Sequence, residues 1–120
     1  MISVIEGLPD NVIGIKATGV VTHEDYLNRV IPQVERTLAA HREFRILYEI
    51  GDDCEAFEVL ALWDDTKIGL RHYGEVQRIA IVTNNPWVRG AAVMFGKLMK
   101  AQVDVFPSHR LEEAKTWVCA

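Results

Sequence analysis

The chain has 120 residues, of which 49% are hydrophobic and 25% are charged, and its formal net charge is −4. This length and apolar content predict one globular domain spanning 1–120 and exclude a disordered chain. A mildly acidic chain is a poor ligand for duplex nucleic acid, which excludes that class of partner. Because no apolar run reaches the ~18 residues of a membrane span and no signal peptide is evident, we expect a cytoplasmic protein.

The net charge hides a segregation of charge along the chain. The stretch 76–103 has no acidic residue, and its four basic residues are Arg78, Arg89, Lys97 and Lys100. The remainder of the chain has nine basic and 17 acidic residues, a net charge of −8. Such asymmetry either indicates an anionic partner for the basic stretch or lets neighbouring elements neutralise each other within the fold.

Two strands joined by a turn are predicted at the start of the chain. Met1–Glu6 and Asn11–Thr18 are rich in β-branched apolar residues, and the intervening Gly-Leu-Pro-Asp favours a turn. The pair is expected to be antiparallel, because a parallel return needs a long crossover. Thr22 is a candidate N-cap for the first helix, and Pro32 is expected to kink or split that helix, because proline removes one backbone hydrogen bond.

The rest of the chain alternates between strands and helices. The predicted elements are a strand Arg45–Ile50, a helix Glu55–Gly69, a strand Gln77–Thr83, a helix Trp87–Ala101, a strand Val103–Phe106 and a C-terminal helix that Pro107 and Ser108 open. The order ββαβαβαβα predicts an α/β fold with a mostly parallel five-stranded sheet, an antiparallel first strand and four helices. Strands in sequential order would lack the topological switch point where α/β enzymes usually bind substrates.

The motifs that would indicate catalysis are missing from the sequence. It has no glycine-rich phosphate loop, no HExxH and no nucleophile elbow, so we predict no catalytic residue, no metal site and no cofactor. The loop after the third strand contains Asp52, Asp53 and Cys54. The two aspartates most simply cap the next helix, since no partner for acid–base chemistry is identifiable. Their negative charge also disfavours a thiolate at Cys54.

The helix predicted at Trp87–Ala101 is the most unusual element, because apolar residues cover about two-thirds of its circumference. Its apolar face comprises Trp87, Ala91, Met94, Phe95 and Leu98, is widened by Val88, Ala92 and Met99, and is flanked by Arg89, Lys97 and Lys100. An apolar face with basic edges is typical of a membrane-surface helix, a dimer interface or a pocket lid. The alternative is a well-buried core helix with solvated lysines.

Several segments resemble the SpoIIAA-like family of the STAS superfamily. They are WDDTKIGLRH (Trp63–His72), the strand RIAIVT with the following NNPW, and the terminal HRLEEAKTWV. The resemblance implies a four-turn βα superhelix and a small bacterial cytosolic protein that forms homodimers. Anti-sigma-factor antagonists of this superfamily are switched by phosphorylation of a serine or threonine where the second helix begins, but the matching stretch Gly51–Ala56 contains neither. The family is also similar to CRAL-TRIO lipid carriers, which hold apolar ligands under a mobile helix.

These observations predict a non-enzymatic module that binds an apolar or lipid-like ligand or contacts an anionic membrane surface. The predicted site combines the apolar face and basic flanks of the third predicted helix with Trp63 as a pocket wall; its residues are Trp63, Trp87, Ala91, Met94, Phe95, Leu98, Arg89, Lys97 and Lys100. The alternative is a protein–protein signalling module in which a regulatory partner docks on Asp52, Asp53 and Cys54.

Overall fold

A computed structural model describes residues 1–53, 76–98 and 101–120. The predicted helix Glu55–Gly69 lies outside the described residues, which contain the other three predicted helices. The elements are β1 (Ile2–Val4), β2 (Val12–Ala17), α1 (Ile31–Ala40), β3 (Phe44–Ile50), β4 (Val76–Val82), α2 (Pro86–Leu98), β5 (Gln102–Phe106) and α3 (Leu111–Cys119).

The five described strands form one sheet in the order β1-β2-β3-β4-β5. β1 is antiparallel to β2, and every later pair is parallel. The predicted strand pattern is therefore confirmed. Because neighbours in the sheet are also neighbours in sequence, the described strands contain no topological switch point.

The entry to α1 is capped and then interrupted. The Thr22 hydroxyl accepts the N–H of Asp25 at 3.2 Å, and the Asp25 carboxylate accepts the N–H of Thr22 at 3.0 Å, a reciprocal cap. A helical turn at His23–Asp25 continues as a π-helical segment, Tyr26–Val30, before α1 begins. Pro32 is the second residue of α1, directly after the π-helical segment, so the hydrogen-bonding pattern changes next to the proline that was expected to kink or split this helix.

The sheet separates two apolar cores. α1 and α2 contribute Val34 and Val88 to the larger core, and α3 contributes Val118 to the smaller one. Successive strand residues alternate between the cores, as Ile46 and Leu47 of β3 do. Strands with both faces buried explain why β3 and β4 are nearly continuous apolar runs in the sequence.

Two arginines from adjacent strands hold the C-terminal end of α3. Arg45 Nη1 donates to the Val118 carbonyl at 2.9 Å, and Arg78 Nη1 donates to the Trp117 carbonyl at 2.7 Å. The Arg78 guanidinium also lies 5.3 Å from the centroid of a Trp117 ring. The last carbonyls of a helix lack partners within the helix and carry partial negative charge, so these cations stabilise α3 against the sheet.

The Asp104 side chain caps a backbone amide on the outer edge of β5, the last strand of the described sheet. The N–H of Thr83 donates to the carbonyl of Phe106, so the Phe106 backbone groups face β4 and those of Val105 face away from it. The Asp104 carboxylate accepts the outward N–H of Val105 at 2.9 Å. An amide that would otherwise be open at this margin therefore has a local partner.

Candidate functional site

α2 turns one side to the core and another to solvent. Val88 is 3% exposed, whereas Trp87 is 77%, Met94 71% and Val93 56% exposed. A cluster of large apolar side chains with this exposure is unusual on a protein surface and indicates an interaction site. These three residues, with the exposed Arg89 and Lys97, are called the α2 surface below.

The α2 surface coincides in part with the predicted site. Trp87, Met94, Arg89 and Lys97 are exposed as the membrane-surface hypothesis requires, and Val93 joins them although periodicity did not select it. Val88, which was expected to widen the apolar face, packs into the larger core. Of the other predicted residues, Ala91, Phe95 and Leu98 belong to α2 but their side chains lie outside the description, as do Trp63 and Lys100 entirely.

The basic residues in and before α2 differ in whether they have a partner within the described residues. Arg78, the first cation of the basic stretch, is committed to the C-terminal end of α3. Arg89 and Lys97 are exposed, and none of the ion pairs formed within the described parts of the chain involves them. α2 itself contains no acidic residue. The two cations therefore present positive charge beside exposed apolar side chains.

The first turn of α2 is fixed by side chains of the preceding loop. Thr83 is 2% exposed, and its hydroxyl accepts the N–H of Asn85 at 3.1 Å. The Asn85 side-chain carbonyl in turn accepts the N–H of Trp87 at 2.9 Å. This bond satisfies a backbone amide that the helix leaves unpaired, and Pro86 occupies a position where an N–H is not needed.

Asn84 joins the loops that follow three neighbouring parallel strands. Its Nδ2 donates to the Asp52 carboxylate after β3, at 3.2 Å to Oδ1 and 3.4 Å to Oδ2. Its Oδ1 accepts the N–H of Ser108 after β5, at 3.0 Å. Sequence reasoning assigned no role to Asn84, because a contact between loops leaves no periodic signal.

The residues of the alternative docking surface are only partly described. Asp52 and Asp53 are exposed, and Cys54 lies outside the described residues, as does the helix that the two aspartates were expected to cap. A cleft of about 230 Å³ lies beside Asp52, between 50–52 and 83–85. A larger cleft of about 610 Å³ separates the β1–β2 loop from the C-terminal part of α1. The described residues that line these two clefts do not include any from α2.

The described residues limit two further classes of site. They contain no group of three or more His, Cys, Asp or Glu side chains that could hold a metal ion. None of the described helices is both long and apolar enough to span a bilayer.

The fold and the sequence match known proteins. The crystal structure of an uncharacterized protein from the DUF3478 family of Shewanella loihica PV-4, with a SpoIIAA-like fold, aligns with a TM-score of 0.72 and 27% sequence identity. The alignment covers 99% of this chain and 93% of that chain. No curated protein matches the chain. The SpoIIAA-like family model matches residues 12–119, nearly the whole sheet and its flanking helices. The chain therefore belongs to the SpoIIAA-like family.

Proposed function

We propose that this chain is a non-enzymatic cytoplasmic module that attaches peripherally to an anionic membrane surface through the α2 surface. The observation that carries the proposal is the exposure of Trp87, Val93 and Met94 on a helix whose charged residues are all basic. The sequential strand order favours a binding role over catalysis, because the usual substrate crevice of an α/β enzyme forms at a switch point that the described sheet lacks.

The apolar part of the α2 surface suits the boundary between water and lipid. Tryptophan is enriched at that boundary, because its ring is amphipathic and its N–H can remain hydrated. Met94 lies two helical turns after Trp87, so the two side chains share one side of α2. Methionine adapts to irregular apolar surroundings, which suits packing against acyl chains.

The basic part supplies attraction and makes it salt-dependent. Arg89 and Lys97 each contribute about 1 kcal/mol near an anionic leaflet. Removing both should weaken binding about 30-fold, since 1.4 kcal/mol is a factor of ten. Because exposed charges interact over about a Debye length, high salt should produce a similar loss.

An open membrane surface is favoured here over an enclosed lipid-like ligand. Three large apolar side chains of α2, Trp87, Val93 and Met94, lie in solvent, where they can contact an open surface. A second copy of this chain is the other apolar occupant to consider, since a homodimer is expected from the family resemblance. Sedimentation at micromolar concentration separates these cases, because a dimer through α2 would bury the residues that vesicles need.

A protein-docking role at Asp52–Cys54 is the alternative proposal. It is supported by the exposure of Asp52 and Asp53 beside the 230 Å³ cleft. Those carboxylates would repel an anionic membrane and attract a basic protein surface. Asp53→Lys should abolish capture of one stoichiometric regulatory protein under this alternative, whereas it should leave or improve vesicle binding under the membrane proposal.

Co-sedimentation with vesicles tests the membrane proposal. The wild-type protein should bind vesicles of phosphatidylcholine and phosphatidylserine in equal amounts at low salt, and bind phosphatidylcholine vesicles much less. Trp87→Ala and Arg89→Met should each weaken binding to the mixed vesicles. Arg42→Met is the matched control, because Arg42 is also exposed but follows α1 at the opposite end of the sheet. A wild-type protein that ignores the mixed vesicles, or an Arg42→Met loss equal to that of Arg89→Met, would refute the proposal.

A further inference from the structure

We propose that Asn84 is the positioning residue of the α2 surface, an inference that rests on the proposed membrane attachment. Asn84 occupies the loop between β4 and α2, two residues before Pro86, the first residue of α2. Its amide is engaged on both sides, donating to Asp52 and accepting from Ser108. Through these bonds the loop that delivers Trp87 is tied to both neighbouring loops.

The link from Asn84 to Trp87 is short and continuous. Asn85 follows Asn84 directly, with its own N–H bonded to buried Thr83 and its side-chain carbonyl bonded to the N–H of Trp87. Asn85 therefore sets the first turn of α2, while Asn84 sets where that turn stands relative to the loops after β3 and β5. Loss of the Asn84 bonds should widen the range of Trp87 positions without removing any residue that contacts the membrane.

The amide and the carboxylate of the Asp52–Asn84 pair can be exchanged between the two positions. An amide can donate to a carboxylate, but two carboxylates repel. N84D should therefore break the link to Asp52 while keeping an oxygen for the N–H of Ser108. The double variant D52N/N84D exchanges donor and acceptor and restores a bond between the same two positions.

Added negative charge alone also weakens attachment to an anionic membrane, so the variants are compared at equal charge. N11D adds the same charge at the other end of the sheet, in the turn before β2. D52N/N11D has the same net charge as D52N/N84D and the wild-type protein, but it lacks the Asp52–Asn84 bond. The two double variants therefore differ in the link and not in total charge.

Vesicle affinity is measured together with the ¹⁹F NMR spectrum of 5-fluorotryptophan-labelled protein, with the position 87 resonance assigned by Trp87→Phe. We expect N84D to bind mixed vesicles about threefold more weakly than N11D, the size of one exposed hydrogen bond. In N84D the Trp87 resonance should shift or broaden, while the melting temperature should change little. The double variant D52N/N84D should restore the wild-type affinity and the wild-type Trp87 resonance. The double variant D52N/N11D should restore neither.

The outcomes separate this inference from the proposed function. If the wild-type protein does not bind the vesicles, the proposed membrane attachment is wrong. If the wild-type protein binds but N84D matches N11D in affinity and keeps the wild-type Trp87 resonance, Asn84 is not a positioning residue. Equal behaviour of the two double variants overturns the inference in the same way.

Discussion

Replacing Arg78 by methionine should destabilise the protein through the end of α3. Methionine keeps an apolar stem of similar length but removes the charge-assisted bond of 2.7 Å to the Trp117 carbonyl and the cation 5.3 Å from the Trp117 ring. A hydrogen bond from a charged donor contributes about 1.5–3 kcal/mol, and we take the lower end because Arg78 is partly exposed. The cation–π contact adds about 0.5 kcal/mol, which gives a total of about 2 kcal/mol.

Urea unfolding measured by circular dichroism tests this value, and a thermal melt should shift by about 8 °C in a chain of this length. Arg89→Met is the matched control, because the exposed Arg89 has no ion pair within the described residues and should change stability by less than about 0.5 kcal/mol. Arg78→Met should in turn leave vesicle binding intact. A loss below about 0.5 kcal/mol for Arg78→Met would show that water replaces the guanidinium at the α3 carbonyls, and the reasoning would fail.

Three further substitutions have expected effects on stability, each measurable by the same denaturation. Gly14→Ala should cost about 1–3 kcal/mol, because the added Cβ would lie 2.7 Å from Ile5 Cβ, next to the backbone; an unchanged midpoint would mean that the chain around Ile5 moves freely. Gly90→Ala should stabilise α2 by about 1 kcal/mol, because nothing lies within 4 Å of the new methyl; a destabilised variant would contradict the described exposure. Thr22→Ala should cost about 1 kcal/mol by removing the hydroxyl that accepts the Asp25 N–H, whereas Thr22→Ser should retain most of the stability.

The strands and their order could be predicted from local chemistry. The predicted strand Gln77–Thr83 corresponds to β4 (Val76–Val82), because a buried parallel strand is apolar on both faces and therefore distinct in sequence. The turn residues between the first two strands fixed their antiparallel relation in the same way. Strand boundaries differ by at most two residues, as expected where strands fray.

The candidate site was less predictable, for physical reasons. When a helix is apolar over most of its circumference, the sequence does not show which side is buried. Periodicity therefore grouped Val88 with Trp87, although of these two residues only Val88 is buried. The role of Arg78 was also hidden, because a cation that caps a distant helix has the same local sequence as one that faces solvent. Contacts between loops, such as Asn84 with Asp52, depend on the assembled edge of the sheet.

The Asp104 carboxylate on the amide of Val105 bears on how copies of this chain can assemble. A strand from a second molecule could pair with the outward N–H of Val105 only by displacing that carboxylate, whose negative charge would remain beside the new strand. Sheet continuation through β5 is therefore disfavoured as a route to a dimer. The same carboxylate lowers the risk that β5 recruits extended chains during folding, when such strands are most exposed to aggregation.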